Sequence, residues 1–217
     1  MEHYSSEQEQ IETIKRWWKD NGTALVLGLV VGIGGLAGYR YWDATQTAQA
    51  EGASINYEMM LQLLNERRID DAEKTGLTVI ENYPSTPYAR MSSLLLAKLA
   101  ADEGEYDKAK ALLGPLADDA KDTEIRAIAN ARLARLALAQ GDVTEAVNRV
   151  GAIPREAGSD ERFVELQADV MAANGQFDQA RALYVKALLQ AEQLGVDSSI
   201  IEIKLDNLSG DLADASP

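Results

Sequence analysis

Gly104-Glu105-Tyr106-Asp107-Lys108-Ala109, GEYDKA, is one of four related segments in this chain of 217 residues. The others are Arg67-Arg68-Ile69-Asp70-Asp71-Ala72, Gly141-Asp142-Val143-Thr144-Glu145-Ala146 and Gly175-Gln176-Phe177-Asp178-Gln179-Ala180. Each reads as a glycine or polar residue, an apolar staple, an N-cap-type Asp or Thr, and a closing alanine. The closing alanines are 37, 37 and 34 residues apart. Read physically, one helix ends in a tight turn and a second begins with its capping residue. A small side chain at each closing position lets the paired helices pack closely.

The flanking sequence agrees. Twelve residues before the closing alanines stand Met60, Ala97, Ala134 and Ala168; nine before stand Leu63, Ala100, Ala137 and Met171. Downstream, Leu112, Leu113 and Leu116, or Ala182, Leu183, Ala187 and Leu188, continue at helical spacing. Pro84 and Pro87 end one unit and Pro154 another, as proline does beyond a helix. A period of 34 to 37 residues with two helices per unit is the tetratricopeptide-type pattern. The match is partial: the bulky aromatic early in each first helix is mostly missing, and the second helix of the first unit carries Gly76. The spacing in four copies decides against a non-repetitive bundle. The expected fold is all-α, with about four helical hairpins stacked into a solenoid over residues 53–207. Its core is the alanine and leucine face, and function is expected in the groove on its concave side.

Upstream lies a different kind of sequence. Thr23 to Tyr39, TALVLGLVVGIGGLAGY, holds no charge, and with Asn21 and Gly22 the uncharged run reaches 19 residues. At 1.5 Å per residue that spans about 28 Å, close to the hydrocarbon thickness of a bilayer. Trp17 and Trp18 precede it, and Tyr39, Tyr41 and Trp42 close it, where aromatic rings favour the two headgroup levels. Lys15, Arg16 and Lys19 stand before the span and Arg40 alone just after it, which predicts the N-terminus inside and the large C-terminal part outside. The competing reading is a signal peptide cut at Ala48-Gln49-Ala50, but that triplet lies nine residues beyond an apolar run already longer than a signal core. Residues 1–20 are therefore expected as a cytoplasmic tail, 21–42 as a transmembrane helix, 43–52 as a linker and 208–217 as a disordered tail. The linker could equally continue the membrane helix, since only Gly52 breaks it. Ile11, Ile14, Trp17 and Trp18 share one helical face, which predicts an interfacial helix before the span. Gly28, Gly32 and Gly35 share a face of the span at small-xxx-small spacing and are candidates for close helix–helix contact in lipid.

Composition removes whole classes of chemistry. There is no cysteine, and the single histidine is His3, so Ser-His-Asp and Cys-His arrangements and thiolate metal sites are impossible beyond the span. No catalytic, cofactor-binding or metal-binding residue is expected. After Trp42 the chain holds 17 Lys and Arg against 30 Asp and Glu, a balance of −13 that argues against a nucleic-acid surface.

The stretch EQEQIETIKRWWKDNG, the glycine-rich span, the exit Tyr39-Arg40-Tyr41-Trp42 and the closing Ile203 to Ser209, IKLDNLS, together resemble the ancillary Sec-translocon subunit family of Gram-negative bacteria, the YfgM-like proteins. The resemblance implies a single N-in helix in the inner membrane and a tetratricopeptide-like domain in the periplasm. It implies, as partners, the SecYEG translocon, a membrane-anchored periplasmic prolyl isomerase and exported polypeptides in transit to periplasmic chaperones. It also implies a second possible role, as a negative regulator binding a stress-response regulator through the cytoplasmic tail. It carries over no catalytic residues and no cofactor.

Overall fold

Helices account for every regular element in a computed structural model that describes residues 3–118, 122–154 and 161–214. They are α1 (His3–Asn65), α2 (Ile69–Asn82), α3 (Pro87–Asp102), α4 (Tyr106–Asp118), α5 (Thr123–Ala139), α6 (Val143–Gly151), α7 (Glu161–Ala173), α8 (Phe177–Leu194) and α9 (Ser199–Asp214). The chain divides into two units, Met1–Gly52 and Ala53–Pro217.

In the first unit, α1 is helical from His3 through the apolar span and into residues 43–52. Of the two options for those residues, the structure takes helix rather than a separate linker. It also leaves no turn between the amphipathic stretch and the span. Asn21 donates its side-chain amide to the Trp17 carbonyl, and the Trp18 indole lies over Gly22, so the uncharged Asn-Gly step stays helical. The helix is long and apolar enough to cross a membrane.

The second unit is built from hairpins: the end of α1 from Ala53 with α2, α3 with α4, α5 with α6, and α7 with α8. The turns repeat one construction. Arg67, Gly104, Gly141 and Gly175 all have a left-handed backbone, with φ of 61°, 80°, 75° and 73°. The amide of the next residue closes each helix by bonding five residues back: Arg68 to Leu63, Glu105 to Ala100, Asp142 to Ala137 and Gln176 to Met171, at 2.7–2.9 Å. This is a Schellman ending, which glycine fits because it lacks the Cβ that collides there. Arg67 is the one turn residue with that collision. Arg67→Gly is expected to stabilise the domain by about 1 kcal/mol; a urea midpoint that stays or falls would contradict this.

One expectation is corrected at the turns. The Asp or Thr two residues before each alanine is not the cap, because Ile69, Tyr106, Val143 and Phe177 are already the first helical residues. The cap falls two positions earlier than that Asp or Thr. Asp142 fills it well, its carboxylate accepting from the Glu145 amide, whereas Arg68 and Gln176 make no side-chain cap. Asp70, Asp107 and Asp178 instead sit in the first turn, where the helix dipole favours negative charge.

The four closing alanines are completely buried, as are Met60, Ala134 and Ala168 beneath them. The apolar clusters pass from hairpin to hairpin. One joins the end of α1, α2 and α3 through Met60, Ala72 and Leu96; the next joins α3, α4 and α5; then α5, α6 and α7; then α7, α8 and α9. Each hairpin completes its core only with the first helix of the next, which is the logic of a solenoid. Helix α9 closes the last exposed face, and it runs past the boundary expected at residue 208. Leu208 is buried in the same cluster as Ile201, which makes it part of the core rather than the start of a tail.

A polar network fastens α9. The Lys204 ammonium contacts Glu165 at 2.7 Å and Asp169 at 2.8 Å on α7, and the Tyr184 hydroxyl of α8 donates to Asp169 at 2.7 Å. Burial alone would lower the Lys204 pKa, but the bonds and charges of Asp169 and Glu165 together raise it. Burial first, and then Asp169, raises the Tyr184 phenol. Both folded values lie above the unfolded ones, so their contribution is complete below about pH 10 and is lost as the pH climbs through the folded values. The gap in melting temperature between the native chain and Tyr184→Phe should therefore be constant from pH 7 to 9 and shrink above pH 10; a gap that widens there would refute the assignment.

Candidate functional site

The position eleven residues before each closing alanine follows directly on a buried one and lies at the edge of its helix's packed face. It is occupied in turn by Leu61, Lys98, Arg135 and Asp169. Asp169 is already engaged by Lys204 of α9. Lys98 and Arg135 stand at the same register on the adjacent helices α3 and α5, and between them is a cleft.

The cleft has a volume of about 280 Å³. Its walls are Ala97 and Ala101 from α3 and Leu136 from α5, and Leu113 of α4 forms its floor. The alanines that let the helices approach also leave this space, since nothing larger projects from them. Lys98, Arg132 and Arg135 form its basic rim.

The rim cations are differently held. Lys98 pairs with Asp102 one turn along the same exposed helix face at 2.6 Å, a geometry worth only a few tenths of a kcal/mol. Arg132 is half-buried and donates one guanidinium arm to the Leu94 carbonyl of α3. Burial, and then the neighbouring charge of Arg135, lowers its pKa. Arg135 is exposed, and neither arginine has a carboxylate within ion-pair distance among the described residues. Elsewhere the cations that bridge the stack do find carboxylates, as Lys108 of α4 does with Glu73 of α2 at 2.7 Å. The two arginines stand side by side on the same face of α5, so their charges add at the cleft.

Such a cleft can seat one large apolar side chain with a negative group beside it. Among the described residues no cluster of three or more His, Asp or Glu could hold a metal. Of the residues singled out from sequence, Gly28, Gly32 and Gly35 lie on α1 in the first unit, with nothing among the described residues within 4 Å of where a Cβ would project. The sequence reading missed Lys98, Arg132 and Arg135. The repeat register holds the signal for Lys98 and Arg135, because equal distance from the closing alanine places both on one edge of the stack. Arg132 lies outside that register, and only packing reveals it.

Against known proteins, residues 15–210 match the model of a tetratricopeptide repeat-like domain. The chain is 30% identical to the ancillary SecYEG translocon subunit of Escherichia coli K12, over 96% of this chain and 100% of that protein. It is 27% identical to the protein of the same name from Haemophilus influenzae, over 94% and 99%. With that of Neisseria gonorrhoeae it shares 26%, over 96% and 100%.

Proposed function

The chain belongs to the ancillary SecYEG translocon subunit family, and from that membership we propose that it is a non-enzymatic, membrane-anchored accessory of the Sec translocon. α1 anchors it in the inner membrane with the N-terminus in the cytoplasm, and the solenoid of the second unit works in the periplasm. There it assists the hand-over of exported proteins to periplasmic chaperones, beside a membrane-anchored prolyl isomerase. The observation that carries this reading is full-length kinship, which includes the apolar span as well as the repeats.

The physical parts fit the role. Three cations before the span against one just after it support the N-in orientation. The glycine face of Gly28, Gly32 and Gly35 offers a close approach for a translocon helix, where backbone proximity rather than side-chain burial drives association. The stack holds no histidine or cysteine, and among the described residues no metal-binding cluster, which suits binding rather than turnover.

A photo-crosslinker at position 31 in the span and another at position 98 on the cleft rim test it in cells under active secretion. The expected products are SecYEG components from the first and exported or chaperone chains from the second. A reporter fused after residue 217 should be active only in the periplasm. A cytosolic signal, or no translocon adduct, would overturn the reading. The exposed Ile11, Ile14, Trp17 and Trp18 edge supports the second role, binding of a response regulator by the tail. Deleting residues 2–16 should then change signalling and leave the SecYEG adducts intact; unchanged signalling would end that idea.

A further inference from the structure

The last repeat of the stack already displays a mode of occupancy. At the register position of Lys98 and Arg135, α7 carries Asp169, and a helix of the chain itself, α9, lies there with Lys204 on that carboxylate. The same helix sets Ile201 and Leu208 into the adjoining apolar cluster. The recognition unit is thus a helix presenting an opposite charge together with aliphatic side chains.

One repeat earlier the edge is basic, and among the described residues no carboxylate forms an ion pair with Arg132 or Arg135. Arg135 is exposed and Arg132 half-buried, with the apolar cleft directly between α3 and α5. At about 280 Å³ the cleft falls below the size of sites that enclose a whole small molecule, and suits one or two side chains. The domain around it is strongly acidic, so a helix carrying carboxylates is repelled elsewhere and attracted here.

We propose that the cleft between α3 and α5 is a docking site for an amphipathic helical segment of a partner protein, one that sets a leucine-type side chain on Leu113 and a Glu or Asp carboxylate on Arg135 and Arg132. This rests on the accessory reading above and adds the chemistry of what the solenoid holds. Planar guanidinium pairs favour carboxylates because each can accept two donors at once. The occupant is named by that chemistry alone.

The test uses the full chain in detergent and three fluorescein-labelled peptides on one alanine, leucine and glutamine background. They place Glu, Gln or Lys one turn from the leucines. Fluorescence anisotropy should rank Glu about ten-fold tighter than Gln, with Lys weakest, and the Glu advantage should shrink with added salt. Because Arg132 also braces Leu94, the informative variants are at exposed Arg135: Arg135→Gln should lose most of the Glu advantage and Arg135→Glu all of it. Lys186→Gln, an exposed cation on α8, should leave the ranking unchanged.

Equal binding of all three peptides, or a Glu preference that survives Arg135→Glu, overturns the proposal. Co-isolation of SecYEG with the same preparations separates the two readings. If it persists while the peptide ranking fails, the docking chemistry is wrong and the accessory role stands. If the ranking holds while co-isolation of the native chain fails, the accessory role falls and the cleft remains an acidic-helix site.

Discussion

Gly76→Val is expected to lower the stability of the solenoid by about 3 kcal/mol, the largest loss from adding so few atoms. A Cβ at position 76 would come within 2.5 Å of the Met60 sulfur and 3.0 Å of a Leu96 methyl. Both neighbours are sealed, Met60 completely and Leu96 with 2% of its surface exposed. The methionine chain is unbranched and can swing aside, so Gly76→Ala should be nearly neutral. Its clash is offset by the better helix propensity of alanine, about 1 kcal/mol. Valine cannot be accommodated this way, because its second methyl presses on Leu96, which has no free volume to enter. Urea unfolding followed by circular dichroism should show a much lower midpoint for valine and little change for alanine. Equal midpoints for the three chains would mean that α2 does not lie against Met60 and Leu96.

Leu113→Ala should cost about 3 kcal/mol as well, for the opposite reason. Leu113 is 1% exposed and packs among Ala97, Ala100, Ala109 and Leu136. Truncating a leucine loses its transfer energy and leaves a cavity whose cost depends on how far the surroundings collapse. Alanines have no flexible side chain to lean inward, so little collapse is available. The new void would open directly into the cleft between α3 and α5 and remove its floor. A thermal or urea midpoint within error of the native chain would show that Leu113 does not hold these three helices together.

These positions differ in how far they could be read in advance. The closing alanines at 72, 109, 146 and 180 repeat at near-constant spacing, and all four are fully buried. A helix repeats its faces every 3.6 residues, so a periodic pattern of small and apolar residues states which side is inside. Gly76 stood in the same sequence as a departure from the repeat. Its meaning, a close approach of α2 to Met60 and Leu96, depends on two residues at least sixteen positions away. The cap was misplaced by two residues because Asp is common both at caps and in first turns, and the two are distinguished only by where the left-handed residue falls.

What the amino-acid order determined alone is the apolar span, its basic and aromatic flanks, the repeat period, the all-α class and the lack of histidine and cysteine beyond the span. Those are local or compositional properties, carried by runs and spacings that need no partner to be counted. Tertiary structure alone decided that Lys204 reaches Asp169, that Arg132 braces Leu94, and that Lys98, Arg132 and Arg135 rim one cleft. A charge is only as informative as its neighbours across the stack, and those are chosen by how neighbouring hairpins turn against each other. No pattern along a single helix encodes that rotation; the packing of alanine against alanine does.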